Sequence, residues 1–155
     1  MKSREMLEGF LGEYGWEYDV LEGDLLVTGF RGQAAEFRVF IQPGDVWVIL
    51  AIVPFVARPI VECQERFWPF LMRLNYEMNL AKASCDPEGD IVLSVELRAT
   101  DLRFSDFQEG LDVLVYYADT CYLPLTNLAV DSTYTMPEFS ELLPGSVVSS
   151  AEEGS

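Results

Sequence analysis

The chain has 155 residues, half of them apolar and 13% aromatic, enough for one domain that buries roughly 70% of the surface its unfolded form exposes. It carries 26 acids against 10 bases, a net charge of −16, and no histidine. That balance argues against nucleic acid, whose binding needs a basic footprint, and against anionic membrane surfaces. The lack of histidine removes Ser-His-Asp and Cys-His catalysis and histidine zinc sites.

Ser3 is placed to cap a first helix whose apolar face is Met6, Leu7, Phe10 and Leu11, ended by Gly12 and Gly15. Trp16, Tyr18 and Val20 alternate with acids, which suits a short lead-in strand. Glu22-Gly23-Asp24 reads as a turn and Leu25–Phe30 as a strand. After a second turn at Arg31-Gly32-Gln33, Ala35–Ile41 reads as a strand with Phe37, Val39 and Ile41 on one face. Pro43-Gly44 suits the centre of a tight turn into Val46–Val53. This third strand is apolar on both faces: Val46, Val48, Leu50 and Ile52 on one, Trp47, Ile49, Ala51 and Val53 on the other. An antiparallel strand normally wets one face, so the second face requires a helix or a second subunit as cover.

Pro54 and Pro59 are expected to break that strand and open a long helix, Ile60 to about Met78, with Pro59 in its first turn. One apolar stripe is Ile60, Cys63, Phe67, Leu71, Leu74 and Met78; a second is Val61, Trp68 and Met72. Glu62, Arg66, Arg73 and Glu77 fill the remainder, with Glu62 and Arg66 spaced for an i,i+4 pair. Pro69 deletes one backbone bond and is expected to kink the helix or split it. Leu80–Cys85 and Ile91–Leu97 then pair as a hairpin around Asp86-Pro87-Glu88-Gly89, each residue where a type I turn favours it. Ser105-Asp106-Phe107-Gln108 reads as a capping box for a third helix ending near Pro124. Its buried stripe is Phe107, Leu111, Leu114, Ala118 and Cys121; Gln108, Glu109, Asp112, Tyr116 and Asp119 face water.

From Phe104 onward there are nine acids and no base. Residues 126–155 read as an acidic, flexible tail with one short helix at Pro137–Leu143, which leaves a single domain over 1–125. The order is α-β-β-β-α-β-β-α. Antiparallel hairpins interrupted by helices define an α+β fold with an antiparallel sheet and no doubly wound parallel core.

Little in the chain points to chemistry. Asp106, Glu109 and Asp112 offer carboxylates along one helix, but without loop carbonyls or a bidentate partner they read as solvated charge rather than a cation site. Gly9, Gly12 and Gly15 follow no strand and precede no Gly-Lys-Ser/Thr, so they make no phosphate loop; Gly29, Gly32 and Gly44 read as turn glycines. Tyr116, Tyr117 and Tyr122 suit helix packing more than a ligand site. No nucleophile has a base beside it, so no catalytic residue, metal or cofactor is assigned. Cys63, Cys85 and Cys121, odd in number and set in apolar patterns, read as reduced core residues of a cytoplasmic protein. The N-terminus shows no signal-peptide apolar region, and Val46–Ala57 is too short to span a bilayer.

Three runs carry a resemblance: Leu74-Asn75-Tyr76-Glu77-Met78-Asn79-Leu80-Ala81-Lys82, Asp90-Ile91-Val92-Leu93-Ser94-Val95-Glu96-Leu97, and Leu111-Asp112-Val113-Leu114-Val115-Tyr116-Tyr117-Ala118-Asp119. Over about Met6 to Leu125 the chain resembles the YbjN-like proteins, small bacterial proteins common in cyanobacteria and sometimes labelled sensory-transduction regulators. The resemblance implies the type III secretion chaperone-like fold. It also implies the behaviour of such chaperones, small acidic dimers that bind extended segments of a client, and it brings no catalytic residues. The acidic tail and Pro69 are departures from that pattern.

The reading is therefore a homodimeric, non-catalytic protein-binding module with an unidentified protein or peptide client. Trp47, Ile49, Val61, Trp68 and Met72 form the subunit or client surface, and Glu109, Asp112 and Asp119 an electrostatic one. A small-ligand sensor, with Trp47 or Tyr116 at the mouth of a site between sheet and helix, is the alternative.

Overall fold

The structure is a computed structural model and describes residues 2–145; the end of the expected tail lies outside them. Helix α1 (Lys2–Tyr14) leads into strand β1 (Asp19–Val20), a 3-10 turn (Glu22–Asp24) and strands β2 (Leu26–Arg31), β3 (Glu36–Gln42) and β4 (Trp47–Val56). Helix α2 (Val61–Glu77), strands β5 (Ala81–Cys85) and β6 (Ile91–Arg98), helix α3 (Phe104–Val130) and the single turn α4 (Phe139–Leu142) complete the order. The expected order thus gains β1 as a true strand and α4 as a docked helical turn.

The six strands form one antiparallel sheet in the order β1-β2-β3-β4-β6-β5, with β4 inside it between β3 and β6. Alternation sends Phe37, Val39 and Ile41 of β3, Val48, Leu50 and Ile52 of β4, and Leu93, Val95 and Leu97 of β6 into the core. The principal helices cover this face. At Gly110 of α3 an added Cβ would lie 3.1 Å from Leu97 Cδ1 and 3.2 Å from Leu50 Cδ1, so helix and sheet approach as closely as a residue without a side chain permits. Phe10 of α1 packs on Phe107 of α3 with ring centres 5.6 Å apart. An aromatic row, Trp16, Phe30, Phe37 and Tyr122, fills the far end beneath α3, Phe37 and Tyr122 meeting edge to face at 5.3 Å.

The turn after β5 forms as its residues require. Asp86 Oδ1 accepts bonds from the Glu88 N–H (2.9 Å) and the Asp90 N–H (3.0 Å), and Gly89 takes a φ of +90°. Gly15 ends α1 at a φ of +87°, while Gly12 stays inside the helix.

Several expectations are corrected. Strand β4 does not end at Pro54: it runs on to Val56, with a cis Val53–Pro54 bond and a register shift against β6 between Ile52 and Val56. Proline is tolerated in a strand where the ladder is already interrupted. Pro59 lies before α2, whose N-cap is Ile60. The helix is continuous across Pro69, which is exposed, so it is not split. Helix α3 runs past Pro124 to Val130, because the core continues: Leu125, Leu128 and Ala129 are all buried, and the Ala129 carbonyl accepts the Ile60 N–H at 2.9 Å. Its cap lies two residues earlier than expected, with Asp106 bonding back to the Arg103 N–H at 3.1 Å. Gly29 lies within β2, where an added Cβ would meet the Phe37 carbonyl at 2.8 Å. Cys63 and Cys121 are buried, but Cys85 is exposed at the sheet edge.

The cysteines make a direct check. Burial pushes the Cys121 thiol up to about 12, and only thiolates react. A native-state thiol assay is expected to modify Cys85 alone, with Cys63 and Cys121 appearing only in denaturant. Immediate reaction of all three thiols would show that the α2–α3 packing is open.

Strand β5 is an edge, yet part of it is covered. The Asn75 side chain of α2 donates to the Ala83 carbonyl and accepts from the Ala83 N–H, both at 2.8 Å. One amide thus completes the backbone bonding of an edge residue and closes that position to another strand. Asn75→Ala leaves both groups half-covered and unpaired, at an expected cost of ~1–3 kcal/mol. Urea unfolding would read that as a lowered midpoint; an unchanged midpoint removes the role.

Candidate functional site

The two expected apolar surfaces sort differently on α2. Helical spacing divides its circumference into four lines. Cys63, Phe67, Leu71 and Leu74 face the core, and Gln64 and Asn75 face the β5 side. Arg66, Phe70 and Arg73 lie on a third line, which contacts the chain after α3. The fourth carries Val61, Glu65, Pro69, Met72 and Tyr76, with Trp68 at its margin and the Arg73 guanidinium 5.5 Å from the Tyr76 ring centre. Val61 is 77% exposed and Met72 73% exposed. From Val61 to Tyr76 this bare line is about 22 Å long at 1.5 Å per residue. Trp68 is only half-buried; its ring meets Phe67 edge to face at 5.3 Å, so it belongs partly to the fold.

Trp47 and Ile49 stand on the opposite side of the molecule from the helical layer. Their face of the sheet also presents Phe40, Ala51, Ser94, Glu96 and Arg98 by register, and no helix of the described residues crosses it. Trp47 is 46% exposed. Arg98 lies over the Trp47 ring at 5.5 Å and Arg38 over Phe40 at 5.4 Å, so guanidinium groups screen part of the apolar surface from water. Lys82 pairs with Glu96 at 2.6 Å on the same face. Of the chain's ten bases, four (Arg31, Arg38, Lys82, Arg98) therefore sit on the sheet's open face. That face is much less acidic than the rest of the molecule, a contrast that sequence order conceals because the four are spread over 68 positions.

The expected acidic surface is dispersed among structural roles. Asp119 is not a free charge: its carboxylate accepts the Ala34 N–H at 3.0 Å and closes the β2–β3 turn around Gly32. Asp112 accepts the Tyr14 hydroxyl, a bond that holds the phenol above its usual range. Glu109 is exposed. Asp106 bonds Arg103, which holds its carboxyl below the usual aspartate range. This cap is intact above the ordinary aspartate pKa and is lost as pH falls through the depressed value. Glu77, expected on the wet side, is 3% exposed and bonds Arg73 at 2.8 Å. Arg66 does not pair with Glu62; it donates to the Ser132 carbonyl at 2.6 Å and to that of Tyr134.

The clefts are open to solvent, including one of about 730 Å³ beside Trp16, Tyr18 and Arg38. Tyr116 borders one of about 340 Å³ with Gln108, Asp112 and Val113, and Trp47 borders another of about 340 Å³ with Leu80, Arg98 and Leu102. Tyr117 is buried, its hydroxyl accepting the Asn79 N–H at 2.9 Å, and Tyr122 packs on Phe37. Tyr116 and Tyr117, with ring centres 5.3 Å apart, share the cleft beside Gln108, while Tyr122 lies apart from them. Asp86, Glu88 and Asp90 bring carboxylates within 4.8 Å of one another at the hairpin turn, but Asp86 and Asp90 already bond backbone N–H groups there. No helix of the described residues is long and apolar enough to cross a membrane.

The antiparallel sheet with helices on one face and the other open is an α+β fold of the type III secretion chaperone-like class, by its likeness to solved structures. A chain of the Yersinia pestis complex of the type III secretion chaperone SycH with a stable fragment of YscM2 superposes at a TM-score of 0.52, with 18% identity over 76% of this chain and 98% of that one. YbjN from E. coli gives 0.57, at 12% identity over 76% and 89%. A chain of the heterodimeric ExoU–SpcU complex of Pseudomonas aeruginosa gives 0.50, at 17% identity over 80% and 98%. The model of the YbjN family, described as "Putative bacterial sensory transduction regulator", matches residues 3–109, and the chain belongs to that family. No curated protein matches it.

Proposed function

We propose that this protein is a non-catalytic protein-binding module, chaperone-like or regulatory, that works in the cytoplasm as a homodimer. The observation that carries the reading is the bare line of α2, where Val61, Met72 and Tyr76 stand in water along one side of a well-packed helix. Single exposed apolar residues are ordinary, but three along about four turns, interrupted once by Glu65, form a stripe suited to a partner. Met and Tyr are also among the residues enriched where proteins meet. Trp47 and Ile49 on the open sheet face supply a second surface, suited to an extended client segment. Two of the solved relatives are described as complexes with a second protein, which supports the same reading. The open clefts offer a small apolar ligand little enclosure and so favour a protein partner over a sensor role.

Light scattering coupled to gel filtration tests the dimer. The expected mass at micromolar concentration is twice the 17.5 kDa of the chain, and a monomer at every concentration overturns it.

A further inference from the structure

The chain after α3 crosses back over α2. Asp131 Oδ1 accepts from the Thr133 N–H at 2.9 Å and the Thr133 hydroxyl at 2.7 Å, turning the chain out of the helix. Arg66 then takes the carbonyls of Ser132 and Tyr134. Phe139 stacks on Phe70 with ring centres 4.8 Å apart and planes 13° from parallel, and the Arg73 guanidinium lies 5.3 Å from the centre of the Phe139 ring. Leu142 and Leu143 complete the attachment, both buried. Side chains make all of these contacts with α2. Its backbone-to-backbone bonds, such as Leu142 N–H to Glu138 and Leu143 N–H to Phe139, lie within the stretch, apart from Asp131 N–H to Asn127 of α3; among the described residues none runs to α2.

A segment held in this way can leave without breaking a sheet ladder or a long helix. Units without ladder bonds open at lower free energy than a paired sheet, here against the burial of Leu142 and Leu143 in the core. The match to the family model stops inside α3, so this strap lies beyond the shared part of the chain. The surface beneath is unusual for so acidic a molecule. Arg66, Phe70 and Arg73 fall on one helical line with Glu77, which pairs with Arg73 at 2.8 Å; the two guanidinium groups flank the aromatic ring and hold a segment that itself carries Asp131, Glu138 and Glu141.

We infer that the Arg66–Phe70–Arg73 face of α2 is a second binding surface, occupied by the chain's own Asp131–Leu143 segment until a partner displaces it. The partner is an acidic amphipathic segment of another protein that repeats the chemistry of Phe139-Ser140-Glu141-Leu142-Leu143: an aromatic ring, then paired aliphatic side chains three and four residues on. The inference rests on the binding-module reading, but the two fail separately, since this face is distinct from the bare line assigned to the dimer.

A fluorescent peptide with the sequence of residues 131–145, added to the full-length chain, tests it. Phe139→Ala loosens the strap and leaves Leu142 and Leu143 in place. Apparent affinity scales with the fraction of chains whose surface is free, so the peptide is expected to bind the variant about tenfold or more tightly than the wild type. Adding Arg66→Ala should abolish that gain while circular dichroism stays unchanged. Equal binding to wild type and variant overturns the proposal, as does binding indifferent to Arg66. Hydrogen exchange gives a second reading that needs no variant: amides of 139–143 should exchange well before those of β4 and β6. If they exchange only with global unfolding, the strap is a fixed part of the fold. A peptide that binds only as monomer converts to dimer would assign the surface to a second copy and likewise overturn it.

Discussion

Met72→Glu is expected to leave the protein folded and to dissociate the proposed dimer. Met72 is 73% exposed and makes no core contact that its loss would open, so stability should change by less than about 0.5 kcal/mol. In a dimer the introduced carboxylate must be buried without a partner or hold the subunits apart. The cost is on the order of 2–5 kcal/mol, about 30- to 5,000-fold in the dissociation constant. Light scattering on a dilution series, with far-UV circular dichroism beside it, separates the outcomes. A dimer that persists unchanged places the interface elsewhere, and the helix-free sheet face with Trp47 becomes its site. Trp68→Asp is a poorer probe, because Trp68 also packs on Phe67 and its loss mixes folding with association.

Gly110→Leu is expected to have the largest effect on the fold. Replacing glycine inside a helix by alanine normally gains about 1 kcal/mol of helix propensity. Here the first carbon added already comes within 3.1 Å of Leu97 and 3.2 Å of Leu50, which offsets that gain, so Gly110→Ala should be near neutral. Leucine adds three more carbons where α3 rests on β4 and β6. Overpacking typically costs ~1–3 kcal/mol and rises where backbones cannot separate. A domain with a total stability of ~5–15 kcal/mol should show a much lower urea midpoint. If Gly110→Leu unfolds at the wild-type midpoint, α3 is not seated on the sheet as described.

Local chemistry made much of the fold legible. Period-two alternation marked β3 and its inward Phe37, Val39 and Ile41, and the Asp86–Gly89 turn was readable because its side chains bond their own backbone. The core stripe of α2 follows from 3.6-residue spacing alone. The places where that reasoning failed have one cause. Proline argues locally against a strand at Pro54 and a helix at Pro69 or Pro124, but packing on either side outweighs one lost bond. The acidic residues after Phe104 likewise suggest solvated chain, whereas Leu128, Ala129, Leu142 and Leu143 are drawn into the core.

By its sequence alone this protein is set as an acidic α+β domain with a doubly apolar third strand and an over-apolar long helix, because hydrophobic period and turn chemistry are properties of neighbouring residues. Which side of that helix stays bare was decided only in three dimensions. Residues 131–143 lie 58 or more positions from the Arg66–Arg73 line that they cover, and no local pattern encodes such a contact. The same is true of the four bases brought together on the open sheet face. Pairing β4 with β6 and β3 collects charges that are scattered along the chain, and the helices of the described residues, drawn to the more apolar face, leave the other face uncovered.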